Sequence, residues 1–186
     1  MMLSILIPTL PERNVLFYEL CLEIENQIKI FSIHTCIEVL YDSRGKGEVT
    51  TGQKRNDLIK KASGDYIWMI DDDDMIMPNA ILNIITGIIK HSPDVFGING
   101  IMTTNGANEM KWDIRLGNPY ALVDGKYLRY PNHITPMKRK LIKDIKFKDI
   151  THGEDYEWAT RINNLGILKT QHIIEEPMYH YKFIHK

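Results

Sequence analysis

Four consecutive aspartates, Asp71 to Asp74, directly follow the apolar run Tyr66 to Ile70. In an extended stretch alternate residues share one side, so we expect Asp71 and Asp73 to point into one crevice while Asp72 points elsewhere. Adjacent carboxylates repel each other, and a divalent cation is their natural counter-charge. Mg²⁺ or Mn²⁺ held by one or two carboxylates usually completes its shell with water and substrate phosphates. A solvated acidic turn is the alternative, but the position after a buried strand favours a cation site.

A second acidic motif is Gly153-Glu154-Asp155. The capping-box spacing around it predicts that Glu154 caps the start of a helix. Asp155 lies three residues before Trp158 and seven before Ile162, so it shares the apolar face of that helix. A partly desolvated carboxylate there is suited to removing a proton from a hydroxyl. The alternative is an ordinary acidic residue that favours a first helical turn.

Four further residues could contact a ligand. Lys54 and Arg55 lie on the helix before the aspartate strand and offer donors to a phosphate or an aspartate, although most such pairs are simply solvated. Asp42, at the end of the second predicted strand, could accept a hydrogen bond from a nucleobase. His180 lies among aromatic residues near the C-terminus and could ligate a metal, although a histidine in a strand is more often structural.

Strands and helices alternate along the first half of the chain, which predicts an α/β fold with parallel strands and right-handed crossover helices. Residues 99–130 show no helical period and are expected to form loops and short strands. The predicted strands are Leu3–Ile7, Cys36–Tyr41, Tyr66–Ile70, Asp94–Ile98 and Ile167–Ile174. The predicted helices cover Leu16–Ile28, Thr50–Ala62, a segment with Pro78 in its first turn that runs to Ile89, and Glu154–Asn164.

Length and charge narrow the function classes. The 186 residues carry 23 Lys+Arg against 24 Asp+Glu and are 44% hydrophobic, which fits one globular domain. A formal net charge of -1 leaves no broad basic field, so nucleic acid is not an expected partner. No apolar run reaches the ~18 residues of a membrane span, and the first residues resemble a strand instead of a signal peptide. We therefore expect a soluble, cytoplasmic protein.

Together these motifs resemble the family 2 glycosyltransferases of the GT-A fold over nearly the whole chain. The motifs occur in the same order as in that family. They are the opening strand, the aspartate quartet as an Asp-x-Asp site, the Glu-Asp motif and a C-terminal histidine. The matching segments are Leu3–Thr9, Lys54–Asn56, Ala62–Ile67, Asp71–Asp74, Gly153–Asp155 and Tyr179–Tyr181. The resemblance implies a single Rossmann-like domain over residues 1–186, with a mostly parallel central sheet flanked by helices. Residues 1–98 would bind the nucleotide-sugar, and residues 99–186 would hold the acceptor and the catalytic base.

The same resemblance implies an inverting transfer of a sugar from a nucleotide-sugar, most simply a UDP-sugar, to the hydroxyl of a carbohydrate or other acceptor. Asp155 would be the base, and Asp73 with His180 would hold Mn²⁺ or Mg²⁺ on the diphosphate. Asp71 and Asp72 would contact the ribose or metal-bound water. The resemblance also implies other donor-binding residues: Pro8, Thr9 and Asp42 near the nucleobase, and Arg55 near the uracil or the phosphates.

Two other functions fit parts of this pattern. A metal-dependent nucleotidyl or phosphoryl transferase would use the strand-end aspartates without a base at Asp155. A binding protein would keep the donor crevice without catalysis. The signature of processive synthases is absent after Asp155, which favours a single-addition enzyme. Its acceptor is expected near residues 133–136, with Trp112 and Tyr120 on the same side.

Overall fold

The computed structural model describes residues 1–184, so the last two residues of the predicted domain, His185 among them, lie outside the described part. Ten strands follow one another along the chain within the described residues. They are β1 (Leu3–Pro8), β2 (Ile37–Asp42), β3 (Tyr66–Met69), β4 (Met75–Ile76), β5 (Val95–Thr104), β6 (Ala107–Ile114), β7 (Ala121–Val123), β8 (Lys126–Arg129), β9 (Met137–Lys138) and β10 (Gln171–Phe183).

Five helices of four or more residues connect these strands within residues 1–184. They are α1 (Asn14–Ile30), which follows a 3-10 turn at Pro11–Arg13, α2 (Thr51–Lys61), α3 (Ala80–His91), α4 (Arg139–Ile142) and α5 (Glu154–Leu165). Within the same residues, none of these helices combines the length and the apolar character that crossing a membrane requires.

The centre of the sheet has the strand order β2-β1-β3-β9-β5. Strand β1 is parallel to both β2 and β3. The two-residue strand β9 runs antiparallel to β3 and to β5, so β3 and β5 point the same way, and β10 pairs parallel with β5. Long parallel crossovers require a connection such as a helix, and α1, α2 and α3 provide it. The predicted α/β fold is confirmed.

Alternate side chains of β1 reach the two opposite faces of the sheet. Leu3, Ile5 and Ile7 pack with apolar residues of α1 and α3, whereas Leu6 packs with those of α2 and α5. All four side chains are fully buried, and burying such a side chain is worth roughly 1.5–3 kcal/mol. Helical layers on both faces therefore fix the carboxyl end of β1, where the polar residues begin.

The start of α3 differs from the prediction that Pro78 lies in its first turn. The helix begins at Ala80, with Asn79 as its N-cap residue at φ 65°. The N–H of Met77 donates to the carbonyl of Met178, which extends the pairing of β4 with β10 by one residue. Met77 is the residue before Pro78, and a residue in that position prefers extended backbone. It therefore continues the pairing with β10, and α3 begins only at Ala80.

Residues 99–130 form more sheet than the sequence indicated. Strand β5 continues past Ile98 to Thr104 and returns as β6 through Asn105-Gly106, both residues with positive φ. A second such pair, Asp124-Gly125, joins β7 to β8. Both pairs are typical of two-residue hairpin turns. The hairpins extend the sheet beyond the parallel core and build one wall of the site described below.

Strand β10 is longer than the predicted Ile167–Ile174 and runs through Pro177, where its register against β5 shifts. A bulge of this kind accommodates a proline, which has no N–H to donate to the ladder. The strand thereby links the parallel core to the hairpin region.

We predict that Gly100→Ala destabilises the protein by about 2 kcal/mol, because a Cβ at this position would lie 2.0 Å from the carbonyl oxygen of Tyr179 on β10. Urea unfolding of the variant measures this loss. Gly45→Ala is the matched control, since its Cβ would meet only the flexible Glu48 side chain. Equal unfolding free energies for the two variants would contradict the tight β5–β10 contact.

Candidate active site

The four aspartates form a turn and not a continuation of the strand. Strand β3 ends at Met69, and the N–H of Asp74 donates to the carbonyl of Asp71 over 3.2 Å. Alternation along an extended chain therefore does not apply. Asp71 and Asp74 line a cavity, whereas Asp72 and Asp73 face the loop after β1. The prediction that Asp71 and Asp73 share a crevice apart from Asp72 is wrong for this reason.

Arg13 binds the outer half of the quartet. Its Nη1 lies 2.7 Å from Asp72 Oδ1 and 2.9 Å from Asp73 Oδ2. The hydroxyl of Thr9 donates to the other oxygen of Asp72 over 2.7 Å. Arg13 is not among the predicted site residues, although a cation just after the first parallel strand lies at the edge of the sheet where ligands bind.

The predicted nucleobase side lies at the ends of β1 and β2. Pro8 is opposite Asp42 in the ladder, and the N–H of Thr9 donates to the carbonyl of Asp42 over 2.9 Å. Lys54 Nζ donates to the carbonyl of Thr9 over 2.5 Å. The Asp42 carboxylate accepts several hydrogen bonds from Arg44. Burial works against ionisation, but these bonds outweigh it and lower the pKa of Asp42.

Arg55 contacts an aspartate, one of the two partners predicted from the sequence, and not the uracil or phosphate that the resemblance implied. It is only 4% exposed, with Nη2 at 2.8 Å from Asp71 Oδ1 and Nε at 3.3 Å from Glu154 Oε1. The guanidinium thus joins the two acidic motifs beneath the site instead of facing a uracil or phosphate. Burial favours the neutral form of Asp71, but the charges of Arg55 and His133 overcome it and hold the pKa of Asp71 well below its usual value.

Glu154 does not cap α5. The N-cap residue is Gly153, at φ 79°, and its position has no side-chain cap bond. Glu154 is buried because its carboxylate turns to Arg55 on the neighbouring helix α2. Pairing with a buried guanidinium prevails over the capping-box geometry that the spacing predicted.

Asp155 lies at the edge of the same network. His133 connects the motifs, with Nε2 at 3.0 Å from Asp71 Oδ2 and Nδ1 at 3.9 Å from Asp155 Oδ2. The Asp155 side chain keeps 44% of its surface exposed, so its carboxylate is open to a ligand. The structure therefore brings together two acidic motifs that are about 80 residues apart in the sequence.

A cavity of about 530 Å³ opens between these carboxylates and the hairpin region. Its acidic end is formed by Asp71, Asp74 and Asp155. Aromatic, apolar and polar side chains from the later strands and the 130s loop form the rest of its surface: Met102, Thr104, Trp112, Ile114, Tyr120, Tyr127, Arg129, Asn132, His133, Ile134, Tyr181 and Phe183. Trp112 and Tyr120, expected on the acceptor side, both line it.

Two tyrosines of β10 lie next to the inner aspartates. The hydroxyl of Tyr179 donates to Asp74 Oδ2 over 2.7 Å, and the N–H of Lys182 donates to Asp74 Oδ1 over 2.8 Å. Burial, reinforced by the charge of Asp71, raises the pKa of Asp74 well above its usual value. Burial and the same carboxylates raise the pKa of Tyr181 to about 12. This end of the cavity thus favours groups that bring protons or positive charge.

His180 is not among the aspartates. Its Nε2 lies 2.8 Å from the hydroxyl of Thr103 on β5. Because side chains alternate along a strand, the faces that direct Tyr179 and Tyr181 toward the carboxylates turn His180 away. Within residues 1–184 no group of three His, Cys, Asp or Glu side chains is arranged to hold a metal ion. The predicted pairing of His180 with Asp73 is therefore not formed.

The carboxylates themselves suit a hard divalent cation. Burial and the charges of Asp71 and Asp72 raise the pKa of Asp73, although Arg13 opposes this effect. Excess negative charge around a partly exposed carboxylate is relieved by a cation whose remaining ligands are phosphate and water oxygens. The donor set therefore fits Mg²⁺ or Mn²⁺ at Asp73, without His180.

The parallel strands with carboxylates at their ends and a second, helix-borne acid define an α/β domain of the GT-A type. Residues 29–163 match the family model described as Glycosyl transferase family 2. The chain belongs to this family, as the motifs indicated.

Solved structures agree on the fold. The crystal structure of S. aureus TarS superposes with a TM-score of 0.69 at 16% identity and covers 98% of this chain and 37% of TarS. TarS 1-349 in complex with UDP-GlcNAc gives a TM-score of 0.65 at 15% identity over 100% of this chain and 60% of that chain. This chain therefore spans less than two thirds of the length of either TarS chain. Comparison with curated proteins gives no match.

We predict that Arg55→Met lowers the free energy of unfolding by about 3–5 kcal/mol, because it leaves the carboxylates of Asp71 and Glu154 without their shared partner in a buried site. Urea unfolding gives the value. Arg161→Met is the control: its pair with Glu157 is half-exposed, so its loss is worth less than about 1 kcal/mol. Similar losses for the two variants would show that Arg55 does not hold the motifs together.

Proposed function

We propose that this domain transfers a sugar, with inversion, from a UDP-sugar to the hydroxyl of a carbohydrate or other acceptor. The observation that supports it most strongly is the meeting of Asp155 and the aspartate turn at one cavity. The related fold of TarS has been solved with UDP-GlcNAc and with UDP, which supports a uridine nucleotide as the donor here. A cytoplasmic location remains a prediction from the sequence.

Asp155 is the proposed base. Its half-exposed carboxylate faces the cavity between the aspartates and the aromatic wall, so an acceptor hydroxyl bound there is within its reach. As Asp155 takes the proton, the acceptor oxygen forms a bond to C1 of the sugar. The bond from C1 to the diphosphate oxygen breaks on the opposite face, and the nucleoside diphosphate leaves with the electron pair.

The donor would lie along the ends of β1, β2 and β3. Pro8, Thr9 and Asp42 would lie next to the nucleobase. Asp72, held by a hydrogen bond from Thr9, would contact the ribose. Arg13, already next to Asp72 and Asp73, is placed to bind the diphosphate. A Mg²⁺ or Mn²⁺ ion at Asp73 would stabilise negative charge on the leaving diphosphate. Asp71, held by Arg55, faces the cavity rather than the outer side of the turn.

The acceptor would occupy the aromatic part of the cavity. The ring of Tyr120 lies 5.0 Å from that of Tyr156 and 5.5 Å from that of Tyr130, between centroids, and the Arg129 guanidinium lies 3.8 Å from the Tyr120 centroid. Such rings present flat apolar faces with polar edges, which suits the faces and hydroxyls of a sugar. A phosphoryl or nucleotidyl transferase would need neither this wall nor Asp155.

We predict that Asp155→Asn lowers the rate of UDP release from a UDP-sugar by about 10²-fold or more, since the amide cannot take the acceptor's proton. UDP affinity, measured by calorimetry, stays within about twofold of wild type because the side chain lies on the acceptor side of the turn. The exposed Asp144→Asn serves as the matched control. If Asp155→Asn loses UDP binding and turnover together, the residue holds the donor and is not the base.

We predict that Asp73→Ala removes the Mn²⁺-dependent part of UDP binding, with affinity in the presence of Mn²⁺ falling by about tenfold or more. Calorimetric titration with UDP, with and without Mn²⁺, measures this directly and needs no turnover. Asp144→Ala controls for the loss of one negative charge. An unchanged Mn²⁺ effect in Asp73→Ala would refute the metal role of this carboxylate.

A further inference from the structure

One arginine lies in the wall of the cavity. Arg129, half-buried at the end of β8, is the one lysine or arginine that lines the cavity in the described part of the chain. The carboxylates that line it are those of Asp71, Asp74 and Asp155. None of these three forms an ion pair with Arg129 within residues 1–184. The cavity therefore combines an acidic end with a separate positive charge on its aromatic wall.

The position of Arg129 in the sheet is one where an apolar residue is expected. Tyr127 and Arg129 are alternate residues of β8, and the parallel pairing with β6 sets them opposite Trp112 and Ile114. All four line the cavity, so they share one face of the sheet. A guanidinium among aromatic and apolar side chains loses part of its hydration, and an anion that pairs with it offsets this cost.

The fold supplies no such anion within residues 1–184, although it does so for most other arginines. Asp113 on β6 is already paired with Arg115 at 2.7 Å and with Lys126 at 3.0 Å. Arg139, which also lacks a carboxylate in this part of the chain, begins α4 and does not line the cavity. The arginines that pair with carboxylates are Arg13, Arg44, Arg55, Arg115 and Arg161.

The guanidinium of Arg129 is nevertheless held in place. Its Nη1 donates to the carbonyl of Leu128 over 2.8 Å and to that of Ala121 over 3.0 Å. Its central carbon lies 3.8 Å from the ring centroid of Tyr120 and 5.0 Å from that of Tyr127. Nε and Nη2 have no hydrogen-bond partner within residues 1–184. A fixed guanidinium with these N–H groups available matches the geometry of a phosphate or a carboxylate.

We propose that Arg129 binds an oxyanion of the acceptor, which therefore carries a phosphate or carboxylate group in addition to the hydroxyl that receives the sugar. The proposal rests on the proposed function, in which this hydroxyl meets Asp155. The carboxylates at the acidic end of the cavity repel the anionic group, and Arg129 attracts it. The opposite charges together orient the acceptor, with its hydroxyl toward Asp155 and its anionic group toward Arg129.

The test measures the binding of three probes that share a hexose ring: glucose 6-phosphate, glucuronate and glucose. Calorimetry on the full chain is performed with saturating UDP and Mn²⁺, so that the probes cannot occupy the nucleotide site. At least one anionic probe is expected to bind about tenfold or more tighter than glucose, because hydrogen bonds between charged partners are the strong ones. The tighter of the two anions identifies phosphate or carboxylate as the preferred group.

Variants then assign the preference to Arg129. Arg129→Gln is expected to bind the anionic probes no more tightly than glucose, whereas Arg129→Lys retains part of the preference because it keeps the charge without the planar fork. Arg161→Gln is the matched control, since Arg161 pairs with Glu157 on α5 and does not line the cavity. UDP affinity within about twofold of wild type shows that each variant is folded.

Two results would overturn the proposal. One is that all three probes bind the wild type with equal or undetectable affinity, and the other is that Arg129→Gln keeps the preference for anions. In either case Arg129 only packs against Tyr120. Release of UDP from UDP-GlcNAc tests the proposed function separately. If Asp155→Asn releases UDP like the wild type while the preference for anions depends on Arg129, the proposed base fails and the anion site stands.

Discussion

The site depends on a single buried guanidinium. Arg55 is anchored in α2, and its two ends neutralise Asp71 after β3 and Glu154 at the start of α5. Without this charge the carboxylates of Asp71 and Glu154 would repel each other in a medium that screens them poorly, and this repulsion would oppose the apolar packing of Trp158 and Ile162 that holds α5 against the core. The two ion pairs of Arg55 therefore help to hold the aspartate turn close to the start of α5, where Asp155 lies beside the cavity.

Much of the parallel core was predictable because its signals are local. Short apolar runs such as Leu3–Ile7, followed by polar residues, are typical of strands buried on both faces, and the helices between them repeat apolar residues at helical spacing. The rule that ligands bind at the carboxyl ends of parallel strands then identifies Asp71–Asp74 as candidate site residues from the sequence alone. The family match over residues 29–163 agrees with this reasoning.

The errors arose where a side chain's direction depends on distant partners. The sequence pattern predicts an extended quartet, but a hydrogen bond between Asp71 and Asp74 closes a turn, and Asp73 pairs with Arg13. Glu154 satisfied a local capping pattern, yet Arg55, 99 residues away in sequence, draws it into the interior. The direction of His180 depends on the register of β10, which a bulge near Pro177 shifts. No window of the sequence contains these pairs, so periodicity and spacing could not reveal them.

The two walls of the cavity differ in how freely they can change. The acidic wall belongs to central strands and buried ion pairs, where a substitution disturbs the whole framework. The aromatic residues of the other wall come from β6, β8, β10 and the loop before β7, and the turns Asn105-Gly106 and Asp124-Gly125 that end these hairpins are exposed. Changes of length or sequence in these exposed turns are therefore expected to reshape the aromatic wall while leaving the buried ion pairs of the acidic wall in place.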